Sequence, residues 1–87
     1  MKTIKVVQYG LGPIGLGIVD VLLQRPWVQL VGAIDVDKSK VGRDVGELLD
    51  PSRRVGVTVG DRAREILKQT RPDIVTHATS SYMQTIH

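Results

Sequence analysis

The sequence has 87 residues, 41% hydrophobic, 24% charged and 3% aromatic, a globular composition that allows one small domain and excludes two. The absence of cysteine excludes a disulfide framework, a thiolate metal site and a cysteine nucleophile, and at this size folding buries only about 60 to 65% of the unfolded chain's surface. The net charge of +3 comes from cations that, from Lys38 onward, alternate with acids or apolar residues, and Tyr9, Trp27 and Tyr82 are too scattered to stack bases, so no nucleic-acid partner is expected.

Ile4 to Tyr9 (IKVVQY) is a short, β-branched apolar run ending at Gly10, the pattern of a central parallel strand buried on both faces. Pro13 stands where a helix begins, and Ile14, Ile18, Val21 and Leu22 recur at helical spacing up to the breaker Arg25-Pro26. Val28 to Ile34 predicts a second strand, entered from Trp27 and closed by Asp35. Val41 to Leu49 predicts a short helix that Asp50-Pro51 ends. Val55 to Val59 alternates β-branched residues with glycine as a third strand, after which Gly60-Asp61 offers a turn and a helix N-cap before Ala63, Ile66 and Leu67. Asp73 to Ala78 predicts a fourth strand, and the hydroxyls of Thr79-Ser80-Ser81 are placed to cap a further helix.

No run approaches the roughly 20 apolar residues that cross a bilayer, and Met1-Lys2-Thr3-Ile4 has no signal-peptide core, so a cytoplasmic chain without membrane contact is expected. The order β-α-β-α-β-α-β implies a Rossmann-type parallel sheet with right-handed crossovers. In that order strand four lies on the far side of strand one, and a crevice opens between their carboxyl ends. A complete sheet of this kind has about six strands. Residues 1–87 are therefore expected to be the N-terminal part of a cofactor-binding domain, truncated before the last strands and prone to self-associate through the open edge of strand four.

Gly10-Leu11-Gly12-Pro13-Ile14-Gly15 fits G-x-G-x-x-G, and here it follows a predicted strand and opens a predicted helix. Gly10 permits the tight turn, Gly12 leaves room for a pyrophosphate, and Gly15 lets the helix lie close to the strands. The helix start, with Pro13 and Ile14, offers free N–H groups and a partial positive charge to an anion. Asp35 follows about 20 residues later, where an acid accepts hydrogen bonds from the adenosine ribose. A carboxylate there repels a 2'-phosphate and Asp37 adds to it, which favours NAD over NADP, although Lys38 or Lys40 could offset the repulsion. His77 and Thr79 share a face at the carboxyl end of the fourth strand. His77 reads as a hydrogen-bonded packing residue rather than a catalytic one, while Thr79 and Ser80 are expected to line the nicotinamide ribose. Gly17 reads as a site of close helix packing.

With this motif, Asp35 and the stretch Val41-Gly42-Arg43-Asp44-Val45-Gly46-Glu47-Leu48, the chain resembles the N-terminal cofactor domain of the dihydrodipicolinate reductase-like family over almost its whole length. That family has a similar Gly-x-Asp-x-Gly-Glu-Leu segment and a fourth strand that opens with Asp and ends in Thr, here Asp73 and Thr79. In the reductases proper the strand closes with Asp-Phe-Thr. The His77-Ala78-Thr79 found here, followed by Ser80-Ser81-Tyr82, is more similar to relatives of the 2,4-diaminopentanoate dehydrogenase type. The resemblance implies a homo-oligomeric NAD(P)-dependent oxidoreductase acting on an amine or imine, whose catalytic residues and substrate pocket belong to a second domain. This segment alone is then expected to be inactive. The competing reading is a regulatory module of the same fold that senses NAD without hydride transfer.

Overall fold

The computed structural model describes residues 2–78. Its elements follow in the order β1 (Ile4–Tyr9), α1 (Pro13–Leu23), β2 (Val28–Ile34), α2 (Val45–Leu49), β3 (Val59–Gly60), α3 (Ala63–Thr70) and β4 (Ile74–His77). All four strands run parallel in the order β3-β2-β1-β4, the Rossmann-type arrangement, with β1 and β4 flanking the point where strand order reverses.

β1 and β2 have the bounds that their apolar runs imply, and both lie inside the sheet, where Val6, Val7, Leu30, Ala33 and Ile34 are buried. On one face Leu11, Val19, Leu30, Ala33, Val45 and Val59 form the core, with Leu16, Leu22 and Leu23 of α1 packed against it. α1 starts at Pro13, whose missing N–H has no intrahelical partner to lose, and stops before Arg25-Pro26. On the other face α3 comes so close to β2 that a Cβ on Gly32 would lie 3.0 Å from Ile66 Cγ2. β4 is a sheet edge among the described residues, with Ile74 and Val75 exposed. No helix among the described residues is long and apolar enough to cross a membrane.

The segment between β2 and β3 departs from its local pattern. The helix expected over Val41 to Leu49 begins only at Val45, because Gly42 turns the chain at φ 89° and Asp44 caps the helix; Val41 packs on the core from outside it. The expected third strand shrinks to Val59–Gly60 because its first half pairs elsewhere. The Val45 N–H donates to the Val57 carbonyl at 2.8 Å, and Asp44 forms an antiparallel bridge with Thr58. Gly60-Asp61 does not cap α3: Arg62 is its N-cap residue and makes no side-chain cap hydrogen bond. The expected strand over Asp73 to Ala78 is regular only from Ile74 to His77, although Asp73 and Ala78 still donate their N–H groups to the Lys5 and Tyr9 carbonyls. Gly17 is exposed and a Cβ there would meet nothing, so close packing does not account for it. The cap expected at Thr79-Ser80-Ser81 lies outside the described residues.

Asp44 organises this excursion. Its carboxylate accepts N–H groups from Gly46 at 2.8 Å, Val55 at 2.9 Å and Gly56 at 2.7 Å, joining the start of α2 to the approach to β3. Gly46 is required by space, since a Cβ there would lie 3.0 Å from the Arg53 carbonyl oxygen and 2.9 Å from Val55 Cγ2. Glu47 meets Arg43 and Arg54. The Gly-x-Asp-x-Gly-Glu-Leu segment is thus a folding device for this loop. The N–H donors, Val55 first, hold the Asp44 carboxyl below its ordinary range. A carboxyl depressed in the folded state stabilises the protein above its unfolded-state value and ceases to do so as the pH falls through the folded one. Urea midpoints are therefore expected to drop below about pH 4, and less steeply in Asp44→Asn, which starts lower. An equal slope in both proteins would remove Asp44 from the cause.

Candidate functional site

The glycine-rich turn connects β1 to α1 at the carboxyl edge of the sheet. Gly10 takes φ 100°, a conformation that side chains disfavour, and donates its N–H to the Ile34 carbonyl at 2.8 Å. Gly15 is buried against it: a Cβ there would sit 1.9 Å from the Gly10 carbonyl oxygen. Both glycines are demanded by the fold. Gly12 is not. It has ordinary backbone angles, φ −72° and ψ −172°, and a Cβ there would meet nothing within 4 Å. Its bare backbone faces open space at the N-cap of α1, where the first-turn N–H groups of Ile14 and Gly15 have no intrahelical acceptor. The Ile14 side chain is 70% exposed beside them.

Asp35, at the end of β2, is drawn onto this turn. Its Oδ2 accepts the Leu11 N–H at 2.7 Å and its Oδ1 accepts the Asp37 N–H at 2.9 Å. The residue foreseen as a ribose acceptor is therefore also a brace of the glycine turn and a turn aspartate. Each carboxylate oxygen keeps a further lone pair. Asp37 turns to Ser39, accepting its hydroxyl and N–H, which together lower its carboxyl, with Lys40 adding to the effect. Lys40 reaches over the turn and donates from Nζ to the Leu11 carbonyl at 2.9 Å, with Asp37 Oδ2 at 3.9 Å. Its cation is thus shared between the Leu11 carbonyl and the Asp37 carboxylate. Val36, next to Asp35, is 74% exposed.

Across the reversal point His77 is not the buried, hydrogen-bonded packing residue expected. It is exposed at the end of β4, and its ring lies against Tyr9 with centroids 4.9 Å apart. The strand-end position that brings it near the crevice also leaves it at the sheet edge, without the cover that the apolar run suggested. Thr79 and Ser80 lie outside the described residues. Two further residues contact the turn from outside it, Lys40 and Gln8. Sequence signals only the charge of Lys40, whereas a glutamine in a strand buried on both faces is itself a signal of a buried hydrogen-bonding role.

A parallel sheet with this strand order and a glycine turn at its reversal point defines a Rossmann-type domain, with the uncapped start of α1 open at that point. No family model matches the chain. It is 42% identical over 64 residues to 4-hydroxy-tetrahydrodipicolinate reductase from Carboxydothermus hydrogenoformans, a match covering 74% of this chain and 23% of that protein. Among solved structures it is similar to an amine dehydrogenase from Mycobacterium smegmatis, with TM-score 0.77 and 46% identity over 83% of this chain and 21% of that one. The chain thus spans less than a quarter of the length of either relative.

Proposed function

We propose that this chain is the dinucleotide-binding part of a nicotinamide-dependent oxidoreductase of the dihydrodipicolinate reductase-like kind, and that the whole protein acts on an amine or imine. The observation that carries the reading is Gly12, a glycine that neither backbone angles nor packing require, set at the open N-terminus of α1. Its missing side chain makes room for something outside the polypeptide, and the N–H groups beside it favour an anion. The reductase and the amine dehydrogenase support the redox class and, through the latter's name, the substrate class.

In this reading Gly12, Ile14 and Gly15 hold the pyrophosphate through backbone N–H groups, Gly10 and Pro13 shape the turn, and Asp35 accepts the adenosine ribose hydroxyls with its remaining lone pairs. Val36 offers an exposed apolar surface beside Asp35 for a flat base. Thr79 and Ser80 serve the nicotinamide ribose. A nicotinamide ring supplies hydride transfer when bound; no residue of this segment is assigned a catalytic role, and the substrate pocket belongs to a further domain. Asp35 favours NAD, while Lys40 is close enough to admit NADP at a cost.

Calorimetric titration with NADH and ADP-ribose tests the reading: comparable affinities are expected, because the encoded half of the site is the one both ligands share. Absence of binding by either at high concentration would overturn it. Asp35→Asn keeps an acceptor for the Leu11 N–H but removes the charge. It is expected to weaken NADH by about 1–3 kcal/mol and NADPH by less. Equal losses would take Asp35 away from the ribose.

A further inference from the structure

Gln8 sits among β-branched residues on an interior strand, and its side chain is fully buried. An aliphatic residue would fill the same space without the cost of desolvating an amide. The amide is instead fully engaged. Nε2 donates to the Gly10 carbonyl at 3.0 Å and to the Tyr9 carbonyl at 3.3 Å. Those oxygens only accept, so the nitrogen end faces them and the oxygen end faces β4, where the Thr76 hydroxyl donates to Oε1.

The Gly10–Leu11 peptide is thereby held at both ends, its carbonyl by Gln8 and its N–H by Asp35. The carbonyl is turned into the core, against the position a Cβ of Gly15 would occupy. A loop that grips an anion must keep its carbonyl oxygens away from it and its N–H groups toward it. We infer that Gln8 is a positioning residue for the phosphate grip: it fixes the orientation of the Gly10–Leu11 peptide and, through Thr76, ties that orientation to β4 on the other side of the crevice. This inference rests on the dinucleotide reading above.

The test is titration of ADP-ribose into the unmodified chain, Gln8→Met, Gln8→Glu, Thr76→Val and the Gln8→Met/Thr76→Val double variant, with circular dichroism to monitor folding. Gln8→Met, similar in volume but without a donor, is expected to weaken ADP-ribose about tenfold. Thr76→Val weakens it less and adds little in the Gln8→Met background, because it acts through the same amide. Gln8→Glu supplies a readout that a packing role would not move. Ionised, it sets a carboxylate oxygen against the Gly10 carbonyl; protonated, it regains a donor, so its affinity relative to the unmodified chain recovers as the pH falls from about 8 to about 5. Should Gln8→Met fail to fold, the Gln8→Glu profile and Thr76→Val decide the matter. An unmodified chain that binds no ADP-ribose overturns the dinucleotide reading and this inference with it. Binding by the unmodified chain, matched at every pH by folded Gln8 variants, overturns the positioning role alone. Additive losses from Gln8→Met and Thr76→Val overturn the tie to β4.

Discussion

Gly12→Val is expected to keep the fold and lose the nucleotide. The position has an extended backbone that β-branched residues adopt readily, and a Cβ there meets nothing in the protein. The circular dichroism should therefore match that of the unmodified chain, with a urea midpoint lowered by no more than the modest cost of valine at a helix N-cap, about 1 kcal/mol. The same side chain would project into the space beside the first-turn N–H groups, where the pyrophosphate is proposed to lie. ADP-ribose affinity is expected to fall by about 100-fold or more, since the backbone could no longer approach the phosphates. A folded Gly12→Val protein with unchanged affinity would move the ligand away from this turn.

Gly15→Ala, three residues on, is expected to do the opposite. The added methyl would lie 1.9 Å from the Gly10 carbonyl oxygen and 2.7 Å from its carbon, both backbone atoms. Gly10 cannot give way easily, because its N–H is bound to Ile34, its carbonyl to Gln8 and the next N–H to Asp35. The loss of stability should reach or exceed the upper end of the roughly 1–3 kcal/mol seen for overpacked cores. In so small a domain, whose total stability is on the order of 5 kcal/mol, that is a large fraction. A urea midpoint equal to that of the unmodified chain would show that α1 can stand off from β1. The two glycines of one motif thus separate a ligand's requirement from the fold's requirement.

Much of this was legible in the chain. The runs Ile4–Tyr9 and Val28–Ile34 are continuous, apolar and bounded by Gly10, Trp27 and Asp35, so local composition alone delimits both strands. Pro13 and Arg25-Pro26 bracket α1 in the same way. Residues 41–60 were less legible because their hydrogen bonds are settled over distance. Val55, Gly56 and Val57 look like a strand, but their partners are the Asp44 carboxylate and the Val45 N–H, and no periodicity within the segment announces that pairing. Val41 has the spacing of a helical residue only because it, like Val45, turns toward the core.

The glycines and Asp35 could be picked out as a site from spacing, and the order of the motif already gave the turn to Gly10, open room to Gly12 and close packing to Gly15, as the contacts of Gly12 and Gly15 agree. Spacing does not tell that the carboxylate of Asp35 commits a hydrogen bond to the Leu11 N–H of that same turn.

The most direct measurement is a map of amide nitrogen–proton chemical shifts during addition of ADP-ribose. The Gly12, Ile14 and Gly15 amides should move most and saturate together, followed by Asp35 and Val36, while the amides of Ile4 and Val28 at the opposite end of the sheet stay in place. Saturating shifts confined to residues away from the glycine turn, or no shift there at ligand concentrations that perturb other amides, would contradict a dinucleotide site at the start of α1.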